Sequence, residues 1–356
     1  MSKLNDTKKK IIGVFATAAI LAGLIAISTS VLKPGDIDCC NCAIDAFHEM
    51  PAESFDVMIY GSSHAWRGVN ALEMYEKYGL ATYNYGCNWQ RLSTEALFFY
   101  DSLKTQTPKI ALFETYRIDD VIEDQSLDGE IYYTKRIGDS PYKRQYLEKA
   151  FGEFGPDTLE RYVSYYFPIS QFHSSWNTLT IDNFTNWYTK DEFVNTMGYY
   201  YMPNGDDVVE TEFQDPATFE KIELCPEAIE ILDEIVKTCR ENNIEPIFFT
   251  IPHHHDNKYA DSLTKYAEEN GVVYLDLFKK MDEIGLDGKT DFSDPGHLNN
   301  SGAIKVSDYL GEFIRDNYDI RDARKTKPNL FNDKTNAKTG QAKILWDATH
   351  ETSDEN

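Results

Sequence analysis

Three residues, in two segments far apart in the chain, are of the types that together activate a hydroxyl. The segment FDVMIYGSSHAWRGVN, residues 55–70, ends an apolar run on Gly61-Ser62-Ser63-His64. Far downstream, DFSDPGHLNNSG, residues 291–302, sets Asp294 three residues before His297. A serine hydroxyl is a weak nucleophile until an imidazole accepts its proton and a third group orients that imidazole. Ser63, His297 and Asp294 are therefore read as nucleophile, base and orienting acid of an acyl-transfer site. Pro295-Gly296 disfavours a regular helix between the last two. A bent loop there lets Asp294 hold one ring nitrogen of His297 while the other faces Ser63. Each piece alone is common, since Gly and Ser form turns and Asp-x-x-His recurs by chance. Both pieces at the two ends of one α/β domain are more specific. Ser62 is the neighbouring alternative nucleophile.

Other residues near these segments are weighed in the same way. Trp66 and Arg67, just past the serines, are candidates for binding sugar or phosphate, against a packing and pairing role. His64 is read first as packing the turn. PHHHD, residues 252–256, looks like a metal cluster, but consecutive side chains point in different directions and one ion rarely takes all three. No metal and no cofactor are expected. Of six cysteines, CCNC at 39–42 is too tight to pair within itself. Cys225 and Cys239 could pair with each other or with that cluster, and structural or free cysteine is the favoured reading. Tyr199, Tyr200 and Tyr201 read as packing. Asn183-Phe184-Thr185 has the form of a glycosylation triplet and carries no further argument.

The elements that must position these groups alternate. Strands are expected at 55–60, 81–86, 109–115, 245–252 and 272–277. Helices are expected at 70–79, 93–106, 226–243, 259–271 and 301–318. Strand–helix alternation implies a three-layer α/β fold, a doubly wound parallel sheet. Ligands of such sheets bind beyond the carboxyl ends of the strands, where Ser63 falls. The alternation breaks at 118–215, a stretch dense in Tyr and Trp that is read as an insertion covering one end of the sheet. A loop that long is functional or disordered, and its aromatic content argues against disorder. The domain is expected to span 54–320, followed by a polar tail at 321–356.

Hydrophobic residues make up 42% of 356, enough for a packed core. The formal charge of −24 argues against nucleic acid as a partner, because phosphate binding needs a basic face. Residues 11–32 are uncharged and long enough to cross a bilayer core. Lys8, Lys9 and Lys10 precede them, so residues 1–10 are expected in the cytoplasm and everything after the span outside. The run exceeds the h-region of a signal peptide, which favours an anchor over a cleaved leader. Residues 33–53 read as a polar connector.

The arrangement resembles the SGNH (GDSL-type) hydrolase superfamily over roughly 54–116 and 226–318. Gly61-Ser62-Ser63 matches its Gly-Asp-Ser block, NYGCNWQ at 84–90 its second block, and Asp294-x-x-His297 its last. The resemblance implies a flavodoxin-like SGNH fold. It also implies an oxyanion hole from Ser63, Gly86 and Asn88. The family's oxyanion Gly aligns with Trp89, and FETYRIDD lacks the Asn of the third block. The anchored N-terminus and insertion look like envelope relatives, the D-alanine transfer proteins of teichoic acids and the alginate O-acetylation proteins. That implies an extracytoplasmic serine esterase or O-acyltransferase. Its partners would be an envelope polysaccharide or acylated polymer, a membrane acyltransferase, and the lipid bilayer through 11–32. The alternative is a non-catalytic envelope module that binds polysaccharide or assists such a transferase.

Overall fold

A computed structural model describes residues 2–32, 39–121, 133–134, 136–152, 156–167, 196–202 and 210–326, with a few single residues between 176 and 184. The chain divides into two units, one of residues 1–38 and 151–188, the other of 39–150 and 189–356.

The second unit is built on five parallel strands: β1 (Val57–Tyr60), β2 (Thr82–Asn84), β3 (Ile110–Glu114), β4 (Glu245–Thr250) and β5 (Val273–Asp276). Their order in the sheet is β2-β1-β3-β4-β5. Val57 pairs with Thr82 on one side and Ile110 on the other, and Ile110 continues to Glu245. The four-residue β1 is buried throughout, the uninterrupted apolar run of a strand covered on both faces. The α/β, doubly wound reading of the sequence is the observed fold.

Period-two alternation sorts the strand residues between the two faces. Val57, Ile59, Ile110, Leu112, Ile247 and Phe249 form one core. Over it lie the short helix Ser63–Gly68, then Ala71–Tyr78 and Asn300–Asn317. Tyr60, Phe113 and Phe248 face the opposite way, where their rings run on to Phe99 and Tyr266. Those two residues belong to the helices Leu92–Ser102 and Ala260–Asn270. Asn70 caps its helix by accepting the N–H groups of Leu72 and Glu73. Gly79 ends that helix in the left-handed conformation, with φ 64°.

Two expectations change here. Residues 39–48 of the supposed connector form a helix, Cys39–His48. Ala43, Ile44, Ala46 and Phe47 make a buried stripe on it, with Phe47 stacked on Tyr85 at 4.2 Å. The polar tail begins docked: Ala323 is buried against Tyr75 and Ala81. Cys225 and Cys239 are free thiols at opposite ends of Pro226–Glu241, a separation no disulfide spans. In the insertion, helices occupy Pro141–Phe151 and Pro156–Tyr166. Much of the rest, with Asn183 and Thr185, lies outside the described residues, as do residues 327–356.

The first unit contains the helix Ser2–Leu32, whose segment Thr7–Ser28 is long and apolar enough to cross a membrane.

Candidate active site

β1 ends at Tyr60 and the chain turns through Gly61, at φ 147°. Such a conformation suits glycine, and a side chain there would meet Glu114 Cβ at 2.5 Å. Ser62 caps the next helix by accepting the His64 N–H, and Ser63 is its first residue. The Ser63 hydroxyl therefore stands at the carboxyl end of a central strand. Its N–H has no partner within the helix.

The second piece is a hairpin. Phe292–Asp294 and His297–Leu298 pair antiparallel, with Asp294 opposite His297 across the two-residue Pro295-Gly296 turn. The Gly296 N–H donates to Asp294 Oδ1 at 2.8 Å. The tip is fixed from the 252–256 loop, where the His254 N–H donates to the Pro295 carbonyl at 3.0 Å.

The two pieces meet. His297 Nε2 lies 2.7 Å from Ser63 Oγ, and its Nδ1 lies 2.8 and 2.9 Å from the Asp294 oxygens. A proton on Nδ1, held by the carboxylate, leaves Nε2 free to accept from the serine. Partial burial works to raise the Asp294 carboxyl. The His297 bond and charge, the Gly296 N–H and Arg67 outweigh it and hold the group below its usual range.

Arg67 flanks the line at Asp294. Arg67 approaches Asp294 Oδ2 at 3.8 Å and donates to Asn88 Oδ1 at 3.4 Å. Trp66 does not belong to the site surface. It is fully buried, and its indole N–H donates to the Gly198 carbonyl at 2.8 Å. The returning segment 196–202 covers it, so the expected substrate contact is replaced by packing. Gly86 is likewise not an oxyanion donor, because its N–H donates to Asn84 Oδ1 at 3.1 Å. A side chain at Gly86 would meet the Gly61 carbonyl at 3.0 Å, so this glycine serves close packing.

Trp89 has φ 58°. It is the third residue of the Cys87–Gln90 turn, closed by the Gln90 N–H to the Cys87 carbonyl, and a type II turn asks for glycine there. The indole is 67% exposed with the Arg117 guanidinium over its face at 5.1 Å.

Behind His297 the rings of His64, Tyr116 and His253 pack in series. His64 lies 5.2 Å from His297 and 3.7 Å from Tyr116, and Tyr116 lies 4.7 Å from His253. Burial first, then neighbouring imidazoles, pushes His64 well down and His253 down to about 3. Both rings are neutral walls. Beyond them a cavity of about 520 Å³ opens at the ends of β3 and β4, lined by Tyr116, Arg117, His253, Asn257 and Tyr259. Along its lining Asp119 pairs with Lys258, and Asp120 with Arg91 and Arg117.

Gln90 and Glu114 escaped the reading of the sequence. Gln90 accepts the Gly61 N–H at 2.8 Å, and Glu114 accepts the Ser62 hydroxyl at 3.0 Å. The signal for Glu114 was a carboxylate closing an otherwise apolar strand.

No family model and no curated protein matches the chain. A solved structure from Bacteroides fragilis, described provisionally as an acylhydrolase, is similar at a TM-score of 0.36 and 10% identity, over 76% of this chain and 93% of that one.

Proposed function

We propose that the protein is a serine-dependent acyl-transfer enzyme, an esterase or O-acyltransferase. The observation that carries this is the unbroken line from Ser63 Oγ through His297 to Asp294. Ser63 Oγ attacks the carbonyl carbon of an ester while His297 Nε2 takes the hydroxyl proton. The tetrahedral oxyanion is held by the Ser63 N–H and by Asn88. Collapse expels the alcohol, which takes the proton from His297, and leaves acyl-Ser63. Water or a sugar hydroxyl then attacks the acyl group, deprotonated by the same imidazole. Asp294 stays ionised and steadies the imidazolium at each stage.

The substrate class we infer is an acyl or acetyl ester on a cell-envelope glycan or teichoic-type polymer. Supporting it are the apolar N-terminal segment preceded by lysines and the motif resemblance. In this reading the segment anchors the domain outside the membrane, and a membrane acyltransferase is its partner. Arg67 and the cavity beyond Tyr116 contact the polymer on either side of the ester.

The test is hydrolysis of a chromogenic acetyl ester by the wild type and by Ser63→Ala. Loss of turnover in the variant supports the reading. Equal rates would leave a non-catalytic envelope module as the better account.

A further inference from the structure

The turn that presents Ser63 is gripped from two sides. On one, the Gly61 N–H donates to Gln90 Oε1 at 2.8 Å, and the Gly61 carbonyl accepts the Cys87 N–H at 3.1 Å. On the other stands Glu114. Its carboxylate accepts the Ser62 hydroxyl at 3.0 Å and the Tyr116 N–H at 3.0 Å. The nearby N–H groups of Ser62 and Ile251 also favour its ionised form. One side chain thus ties the end of β1 to the end of β3. Ser62 Oγ passes the constraint on, because it accepts the His64 N–H at 3.3 Å and so caps the helix that Ser63 begins.

A fully buried carboxylate is costly and persists only where its acceptors are used. The titratable groups that share its field are Glu95 from Leu92–Ser102, Tyr116 beyond its own strand, and Tyr274 from β5. None of these is a cation.

We propose that Glu114 is a positioning residue for the nucleophile, fixing through the Ser62 hydroxyl the turn that aims Ser63 Oγ at His297. This rests on the reading of Ser63 as the nucleophile. The ionised carboxylate accepts from both the Ser62 hydroxyl and the Tyr116 N–H, whereas the protonated acid brings a further hydrogen into the same enclosed space. Burial pushes this carboxyl up to about 8, against the pull of its hydrogen bonds. Reactivity of Ser63 should then gain a component that rises through that pH.

The experiment is the second-order rate of labelling of Ser63 by a fluorophosphonate, followed from pH 5 to 10. The proteins are the wild type, Glu114→Gln, Ser62→Ala and the double variant, with thermal unfolding of each recorded. Each single variant is expected to label at least about tenfold more slowly, and the double no more slowly than the worse single. Glu114→Gln should lose the rise near pH 8. If Glu114→Gln does not fold, Ser62→Ala, which removes one hydroxyl, decides alone. Wild-type Ser63 that labels, beside both variants labelling at the same rate with an unchanged profile, overturns the positioning role and leaves the catalytic reading standing. Absence of labelling at wild-type Ser63 removes both.

Discussion

His297 Nε2 stands 2.7 Å from Ser63 Oγ although 234 residues separate them. The contact joins the carboxyl end of β1 to a hairpin that follows the last strand of the sheet. Neither partner is held by its own segment alone. The Gly61–Ser62 turn before Ser63 bonds to Gln90 and Glu114, and His297 bonds to Asp294 on a hairpin whose tip bonds to His254.

Asp294→Asn keeps the shape of the hairpin but removes the acceptor that fixes the proton on Nδ1. Turnover of a chromogenic acetyl ester should fall by roughly 10⁴ with little change in KM, the pattern of a lost tautomer preference. Steady-state kinetics on the folded variant check this.

Gly61→Ala places a methyl group 2.5 Å from Glu114 Cβ and 2.9 Å from Ala65 Cβ, in a backbone conformation L residues avoid. The strand ends must part, and the loss of stability should be at least about 2–3 kcal/mol. Urea unfolding measures it, and ester turnover should fall with it.

Trp89 holds φ 58° with most of its ring in solvent. Trp89→Gly relieves the left-handed backbone and loses the Arg117 contact, two effects of about 1 kcal/mol that oppose each other. Trp89→Val keeps a side chain at that φ and adds a β-branch. The expected order of stability in urea is Gly above Val by about 1 kcal/mol or more.

His253 gives the fold an acid limit. Its pKa in the folded chain, about 3, lies below the ordinary 6.5, because burial and then His255, His254 and His297 disfavour its charge. The unfolded chain therefore takes the proton first. Stability from this group is complete above pH 6.5 and is lost as pH falls towards 3, at up to about 1.4 kcal/mol per pH unit. His64 acts in the same direction. His253→Gln should flatten part of the acid decline seen by thermal unfolding between pH 4 and 7.

The sheet was legible because each strand is an apolar run closed by Gly or a polar residue, and because strands and helices alternate. Ser63, Asp294 and His297 stood out because a serine nucleophile needs those partners. Their meeting is a matter of topology: order 2-1-3-4-5 brings the end of β1 beneath the final hairpin. What could not be read depended on burial by distant chain. Trp66 looked like a surface aromatic until residues 196–202 covered it. Glu114 and Gln90 resemble ordinary polar residues until their partners on the Gly61–Ser62 turn are seen. The stripe Ala43, Ile44, Ala46 and Phe47 was diluted by cysteines, Asn41 and Asp45.

The most direct measurement is peptide mapping of the protein after reaction with a fluorophosphonate, in the wild type and in His297→Ala. One covalent adduct is expected, on Ser63, formed at least about 10³ times more slowly without His297. An adduct on Ser62, or equal labelling with and without the imidazole, would contradict it.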